Sequence, residues 1–368
     1  MKIGAIKESK NKEYRACLVP SSVLELIHHK HEVFIETGLG LGIGIEDSEY
    51  AKLGAKIVNQ KDLFDKAEML IKVKEPTEEE CKLLKPHHTL FTYLHLASLP
   101  LQTKLLKESK ATCIAYETVT DKYGKLPLLA PMSEVAGRLS ILSGVNFLLK
   151  SNNGSGVLLN GVAGIEAGCV VIIGAGVVGI NALITAVGVG AKVVVLDKDM
   201  EKLRHLDLIY GNKITTLYST KESIAKAIAI ADLVVGAVLI PGAVAPRVIT
   251  KDMLSLMKKG SVLVDVAIDQ GGCFETSHPT SYENPTYEVD GIIHYCVANM
   301  PGGVAKSSSF ALNNATLPYI LELANKGYKK AFAENHHLLN GLNVYDGKIT
   351  HELLANSIGE VYTKVDFK

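Results

Sequence analysis

No excess of either charge marks this chain: among its 368 residues, lysine plus arginine and aspartate plus glutamate each number 39, so the formal net charge is zero. A protein that grips a phosphate backbone carries a basic stripe, so nucleic acid is not the expected partner. Cysteine is scarce and scattered. Cys17, Cys81, Cys113, Cys169, Cys273 and Cys296 form no C-x-x-C pair and have no histidine at zinc-site spacing, so they read as small core residues in a reducing compartment, with no metal expected. The N-terminus, MKIGAIKESK, lacks the apolar run of a secretory signal, which points to the cytoplasm. Solenoid repeats and low-complexity tracts are absent too. Only Ala167 to Ala191 is long and uncharged enough to suggest a membrane span. Glycines at 168, 174, 176, 179, 188 and 190 fit a buried strand, a tight turn and a helix better, so no membrane partner is expected.

What is present is a repeated alternation. Apolar runs at 2–6, 32–36, 55–58, 68–74, 88–94 and 111–117 are separated by charged, helix-compatible stretches, and a second set follows at 169–174, 191–197, 213–218, 231–238, 260–269 and 291–297. Continuous apolar strands alternating with amphipathic helices predict parallel sheets covered on both faces. Between the sets, 131–150 reads as a connecting helix, with Ser133 as its cap, Glu134 in its first turn, and Val135, Leu139, Leu142 and Leu149 at helical intervals. The segment from about Ser307 reads as helical and packs back on the first domain. The expected architecture is α/β: two Rossmann-like doubly wound parallel-sheet domains, the first discontinuous (1–130 and 305–368), the second spanning 131–304, with a cleft between them.

The second set opens on the most informative motif, VVIIGAGVVGINALITAVGVGAKVVVLDKD. Gly174-x-Gly176-x-x-Gly179 follows an apolar strand and opens a helix, and Asp197 ends the next strand roughly 20 residues on, the context a dinucleotide fingerprint requires. In that reading Gly174 permits the turn, Gly176 lets backbone approach a pyrophosphate, and Gly179 allows the helix to lie close. The helix N-terminus, at Val177 and Val178, supplies N–H groups. Asp197 accepts hydrogen bonds from the adenosine ribose and repels a 2′-phosphate, which favours NAD over NADP. A glycine-rich turn with no ligand is the alternative.

Ligands of open parallel sheets bind outside the carboxyl ends of the strands. Arg15 lies in the loop after the first strand, Lys74 ends the strand of IKVKEP, His95 follows HTLFTYL, and Asp269 closes GSVLVDVAID. Arg15 suits a carboxylate held in two parallel hydrogen bonds. Lys74 suits a developing oxyanion, His95 proton exchange near neutral pH, and Asp269 an attacking water or ammonia. Each has a plainer reading: a solvated arginine, a strand-end lysine reaching water, a surface histidine, a turn cap. Lys72 is assigned to the water-seeking case.

The blocks KESKNKEYRACLVP, IKVKEP, TYLHLA, PMSEVAGR, GAGVVG, VDVAIDQGGC, VANMPGGV and ALNNATLPY run in order along nearly the whole chain, and in them it resembles the alanine dehydrogenase family. That family is also similar to the nucleotide-binding part of proton-translocating transhydrogenase. The resemblance implies a cytoplasmic homohexamer that reversibly deaminates L-alanine to pyruvate and ammonia with NAD. It implies catalytic roles for His95, Asp269 and Lys74, and substrate contacts from Arg15, Lys74, Met132 and Asn299. It implies cofactor contacts from Ser133, Lys202, Ser219, Val238, Leu239, Val266, Ala267, Ile268, Asp269 and Asn299, and places Glu117 near the substrate or the nicotinamide. The chain departs from the usual pattern at Val244, at Lys306 and around 150–168. A transhydrogenase-like NAD module without an amino-acid substrate, a non-catalytic homologue and an enzyme of the saccharopine dehydrogenase type are the competing readings.

Overall fold

The computed structural model describes residues 1–238 and 245–367. Leu239 and Val244, singled out above, lie outside the described residues. Two compact units emerge, Met1–Met132 with Val304–Lys368, and Ser133–Gly303.

The strands follow the apolar runs. β1 (Lys2–Ala5), β2 (Glu32–Glu36), β3 (Lys56–Val58), β4 (Met69–Ile71), β5 (Thr89–Thr92) and β6 (Thr112–Ala115) belong to the first unit. β7 (Cys169–Ile173), β8 (Lys192–Asp197), β9 (Thr215–Tyr218), β10 (Leu233–Gly236), β11 (Val262–Asp265), β12 (Thr286–Val289) and β13 (Ile292–Tyr295) belong to the second, and β14 (Leu342–Tyr345) and β15 (Lys348–Ile349) return to the first. The six parallel strands of the first sheet lie in the order β3-β2-β1-β4-β5-β6, and those of the second in the order β9-β8-β7-β10-β11-β13. Both are the doubly wound arrangement, in which the chain reverses direction across the sheet beside its first strand. A switch point therefore opens between β1 and β4 in the first unit and between β7 and β10 in the second. Ile3, Ala5, Met69, Leu70 and Ile71 are fully buried, as are Val170, Val171, Ile172 and Val235, which is why these strands are apolar apart from exposed Lys2 at the start of β1.

Three sequence expectations are corrected. The connecting helix runs from Ala130 to Leu148, so Ser133 is its fourth residue and not its cap, and Glu134 falls beyond the first turn. Pro131 explains the earlier start, because an N–H missing at that position has no helical partner to lose. Leu142 and Leu149 are exposed, and the buried face carries Ala136, Gly137, Ser140, Ile141, Gly144 and Leu148. A Cβ at Gly137 would sit 2.2 Å from the Val178 carbonyl oxygen and one at Gly144 would sit 2.5 Å from Leu233, so close approach selects small residues there. The tail is not wholly helical: after helices Ala305–Lys326, Tyr328–Glu334 and His336–Leu339 it adds β14 antiparallel to β6. β14, between β6 and β15, and β12 on β13 are short and half-polar and carry little apolar signal. The uncharged stretch from Ala167 to Ala191 is β7, the glycine turn and helix Val177–Gly188; among the described residues no helix is long and apolar enough to cross a membrane.

His88, fully buried beneath β5, gives the first unit a pH dependence. Its Nδ1 accepts the Lys85 N–H at 2.9 Å and its Nε2–H donates to the Phe64 carbonyl at 2.9 Å, so the neutral ring is fully satisfied. Burial first, then the neighbouring His87, holds its pKa down at about 4. The unfolded chain takes up this proton near pH 6.5 while the folded chain resists it, so stability falls as pH drops from 6.5 towards 4. Between about pH 7.5 and about pH 5 this group should remove about 2 kcal/mol. Urea unfolding of His88→Gln should show a shallower loss over that interval than the parent chain, and parallel curves would refute the assignment.

Candidate active site and dinucleotide site

At the first switch point the loop after β1 and the end of β4 place six charged side chains. Glu8, Glu13, Arg15, Lys72 and Glu75 are buried, and Lys74 is half-buried. Arg15 donates from Nε and Nη2 to the two oxygens of Glu13, 2.6 Å each, and from Nη1 to Met132 Sδ at 3.2 Å. Burial alone would lower the guanidinium pKa; the Glu13 carboxylate more than offsets this and leaves it raised. Glu13 thus fixes the plane of the fork and keeps a buried cation paired. Its part was not read from the sequence, although an acid two residues before a loop arginine was the available signal.

Lys72 overturns its assignment as a lysine reaching water: it is fully buried, with Nζ 2.6 Å from Glu8 Oε2 and 3.8 Å from Glu80 Oε2. Side chains alternate along a strand, and here position 72 turns inward onto two acids. No carboxylate lies within ion-pairing distance of the Lys74 ammonium among the described residues, while its backbone is tied on both sides, to Glu8 and to Thr92.

His95, after β5, is exposed and sits at φ 49°, in the left-handed region. Such a conformation persists only where neighbours impose it. The Glu117 carboxylate accepts the His95 N–H at 2.6 Å and the Leu94 N–H at 3.2 Å, and lies 3.8 Å from His95 Nδ1. The ring stacks on Tyr93, 5.7 Å between centroids and 4° from parallel, and Tyr93 is fixed in turn by a 2.6 Å hydrogen bond to the Leu128 carbonyl.

In the second unit Gly174 has φ +105°, and a Cβ there would meet the Ala237 carbonyl oxygen at 2.5 Å. A Cβ at Gly179 would lie 1.8 Å from the Gly174 oxygen, whereas nothing lies within 4 Å of one at Gly176. The turn is closed underneath and open at Gly176, where helix Val177–Gly188 begins. Asp197 accepts the Ala175 N–H at 2.6 Å and the Asp199 N–H at 2.8 Å, fastening the end of β8 to the turn. Lys202 Nζ is 4.0 Å from Asp197, and Ser219 N–H donates to the Asp197 carbonyl at 2.9 Å. Val238 and Ser133 are half-buried.

Past β11, Val266, Ala267 and Ile268 lead to exposed Asp269, whose Oδ2 accepts the Asn299 N–H at 3.3 Å. Asn299 is also left-handed, φ 58°. Beneath this loop the fully buried Asp265 accepts N–H groups from Ala267 (3.1 Å), Cys273 (2.9 Å) and Phe274 (3.3 Å), and burial raises its pKa despite them. Asp265 anchors the segment that carries Asp269, a part the sequence reading did not give it.

A strand, a glycine turn open at its middle glycine and an acid tied to that turn define an α/β protein of the dinucleotide-binding class. The chain belongs to the alanine dehydrogenase/PNT family: the model of the family's N-terminal domain matches residues 4–136, and that of its C-terminal domain matches residues 140–352. It is 53% identical to the alanine dehydrogenase of Methanococcus maripaludis, over 100% of this chain and 99% of that one. It is 52% identical to that of Halomonas elongata (99% and 98%) and 50% identical to that of Bacillus subtilis (100% and 97%). A solved L-alanine dehydrogenase superposes with a TM-score of 0.95 at 48% identity, covering 98% of this chain and 99% of that one. A transhydrogenase from Sinorhizobium meliloti, at 24% identity and a TM-score of 0.82 over 96% of this chain and 99% of that one, shares the fold.

Proposed function

We propose that this protein catalyses the reversible oxidative deamination of L-alanine to pyruvate and ammonia with NAD, as a cytoplasmic homohexamer. The carrying observation is identity of 50–53% along the whole chain with relatives named alanine dehydrogenase.

The chain's residues fit a dinucleotide. Gly176 leaves an open cradle that a side chain would fill, and the backbone at Val177 and Val178 begins a helix whose first N–H groups can receive a pyrophosphate. Asp197 would take the adenosine ribose hydroxyls and oppose a 2′-phosphate. Ser133, Lys202, Ser219, Val238, Val266, Ala267, Ile268, Asp269 and Asn299 are the proposed further contacts. The bound nicotinamide supplies the acceptor for the hydride of the alanine α-carbon.

The protein's own groups then do positioning and proton work. Arg15, its plane set by Glu13, receives the carboxylate. Lys74 stabilises negative charge on the oxo oxygen, and Met132 bounds the space for a methyl side chain. His95, held in place by Glu117, takes and returns protons as water adds to the imine carbon and ammonia leaves. Asp269, tied to Asn299, assists that addition and release.

With pyruvate and ammonium, NADH absorbance should fall rapidly, NADPH should support little turnover, and bulkier 2-oxo acids should react more slowly than pyruvate. Tight NADH binding with no turnover on any oxo acid would refute the reading.

A further inference from the structure

The peptide of Lys74 is clamped while its ammonium is left without an ion-pair partner among the described residues. On the amide side Glu8 Oε1 accepts the N–H of Val73 at 2.7 Å and that of Lys74 at 3.2 Å. On the carbonyl side Thr92 Oγ1 donates at 2.8 Å. The second Glu8 oxygen takes the Lys72 ammonium at 2.6 Å, and both side chains are buried. Glu8 comes from the loop after β1 and Lys72 from the end of β4, neighbours at the switch point.

Both N–H groups reach the same Glu8 oxygen, Oε1, which leaves Oε2 for the Lys72 ammonium. Burial raises the Glu8 pKa, and the Lys72 ammonium opposes that rise while holding the carboxyl group in place. As a source of stability alone such a pair is dispensable, since apolar side chains of similar volume commonly serve as well. An apolar pair cannot provide an acceptor for the Lys74 amide.

We propose that Glu8, held in place by the Lys72 ammonium, is a positioning residue that fixes the backbone of Lys74 and thereby the reach of its ammonium group to the oxo acid. This rests on the role proposed above for Lys74.

The test is a kinetic cycle on the full-length enzyme. Glu8→Leu with Lys72→Met removes the paired charges and the acceptor together, and leaves Glu80, 3.8 Å from Lys72 Nζ, with the Thr77 N–H but without that cation. This double variant should raise the pyruvate KM about tenfold and leave the NADH KM unchanged. Glu8→Gln with Lys72→Met restores an uncharged acceptor and should recover most of the loss. In a Lys74→Ala background the Glu8→Leu/Lys72→Met change should have no further effect on pyruvate. An unchanged pyruvate KM, an equal rise in both KM values, or a full additional loss in the Lys74→Ala background would each overturn the proposal. Should Glu8→Leu/Lys72→Met not fold, Glu8→Asp, which withdraws the carboxylate by one methylene, enters the same cycle with the same expectation. If Lys74→Ala alone leaves pyruvate kinetics intact, the role of Lys74 fails and the positioning with it. If Lys74→Ala is impaired and the effects are additive, only the positioning fails.

Discussion

Lys74→Ala is expected to lower kcat/KM for pyruvate by about 10²- to 10³-fold and to leave NADH binding intact. The magnitude is that of removing one preorganised donor from a developing oxyanion. The expectation rests on a contrast between two lysines two residues apart. Lys72 is spent on Glu8 and Glu80 in the interior, and replacing it alone would orphan buried acids and damage the fold. Lys74 is half-buried, has no carboxylate at ion-pair distance among the described residues, and is tied only through its backbone. Its side chain can therefore be removed at little structural cost. Thermal unfolding of Lys74→Ala should match the parent chain, and NADH titration by fluorescence should give the same affinity. A variant that loses stability in proportion to activity would show that Lys74 supports the fold and not the reaction.

This contrast also marks where the sequence could be read and where it could not. Parallel strands buried on both faces have to be largely apolar, so the central strands β4, β7, β10 and β11 stand out as near-continuous runs, and their alternation with helices implies the doubly wound sheets. The antiparallel strands β12, β14 and β15 are short and interrupted by polar residues, and leave no such trace. The glycine turn was legible because its three glycines answer to backbone geometry, which one chain segment contains entire. The Glu8–Lys72 pair was not: its members are 64 residues apart, and only the adjacency of β1 and β4 brings them together. Strand-end position suggested water for Lys72, yet burial was decided by two acids from other segments. For the same reason Asp265 went unnoticed beside Asp269. The residue that faces outward has a reactive look in the sequence, and the one that anchors its loop shows itself only through the N–H groups it receives. Charged residues that hold functional ones are thus invisible in a pattern of apolar periodicity, although here they outnumber the residues they hold.

Two glycine substitutions in one turn should separate cradle from scaffold. At Gly179 the first side-chain atom would lie 1.8 Å from the Gly174 oxygen and 2.9 Å from its carbon. A Cβ has no rotamer by which to escape, so Gly179→Ala has to lift the helix off β7, at a cost of about 3 kcal/mol or more. NADH affinity should be lost along with a large drop in the thermal midpoint. At Gly176 the backbone is extended, φ −81° and ψ −168°, a conformation open to alanine, and a Cβ would touch no protein atom within 4 Å. Gly176→Ala should therefore keep the parent thermal midpoint, or exceed it slightly by restricting the unfolded chain. Its methyl group would occupy the space proposed for the pyrophosphate, so NADH should bind at least about tenfold more weakly, a loss of about 1.4 kcal/mol. Weak binding with an intact fold in Gly176→Ala, against weak binding with a damaged fold in Gly179→Ala, is the pattern a phosphate cradle requires. If Gly176→Ala binds NADH as tightly as the parent, the dinucleotide does not cross the turn at that glycine, and the open space there has another purpose.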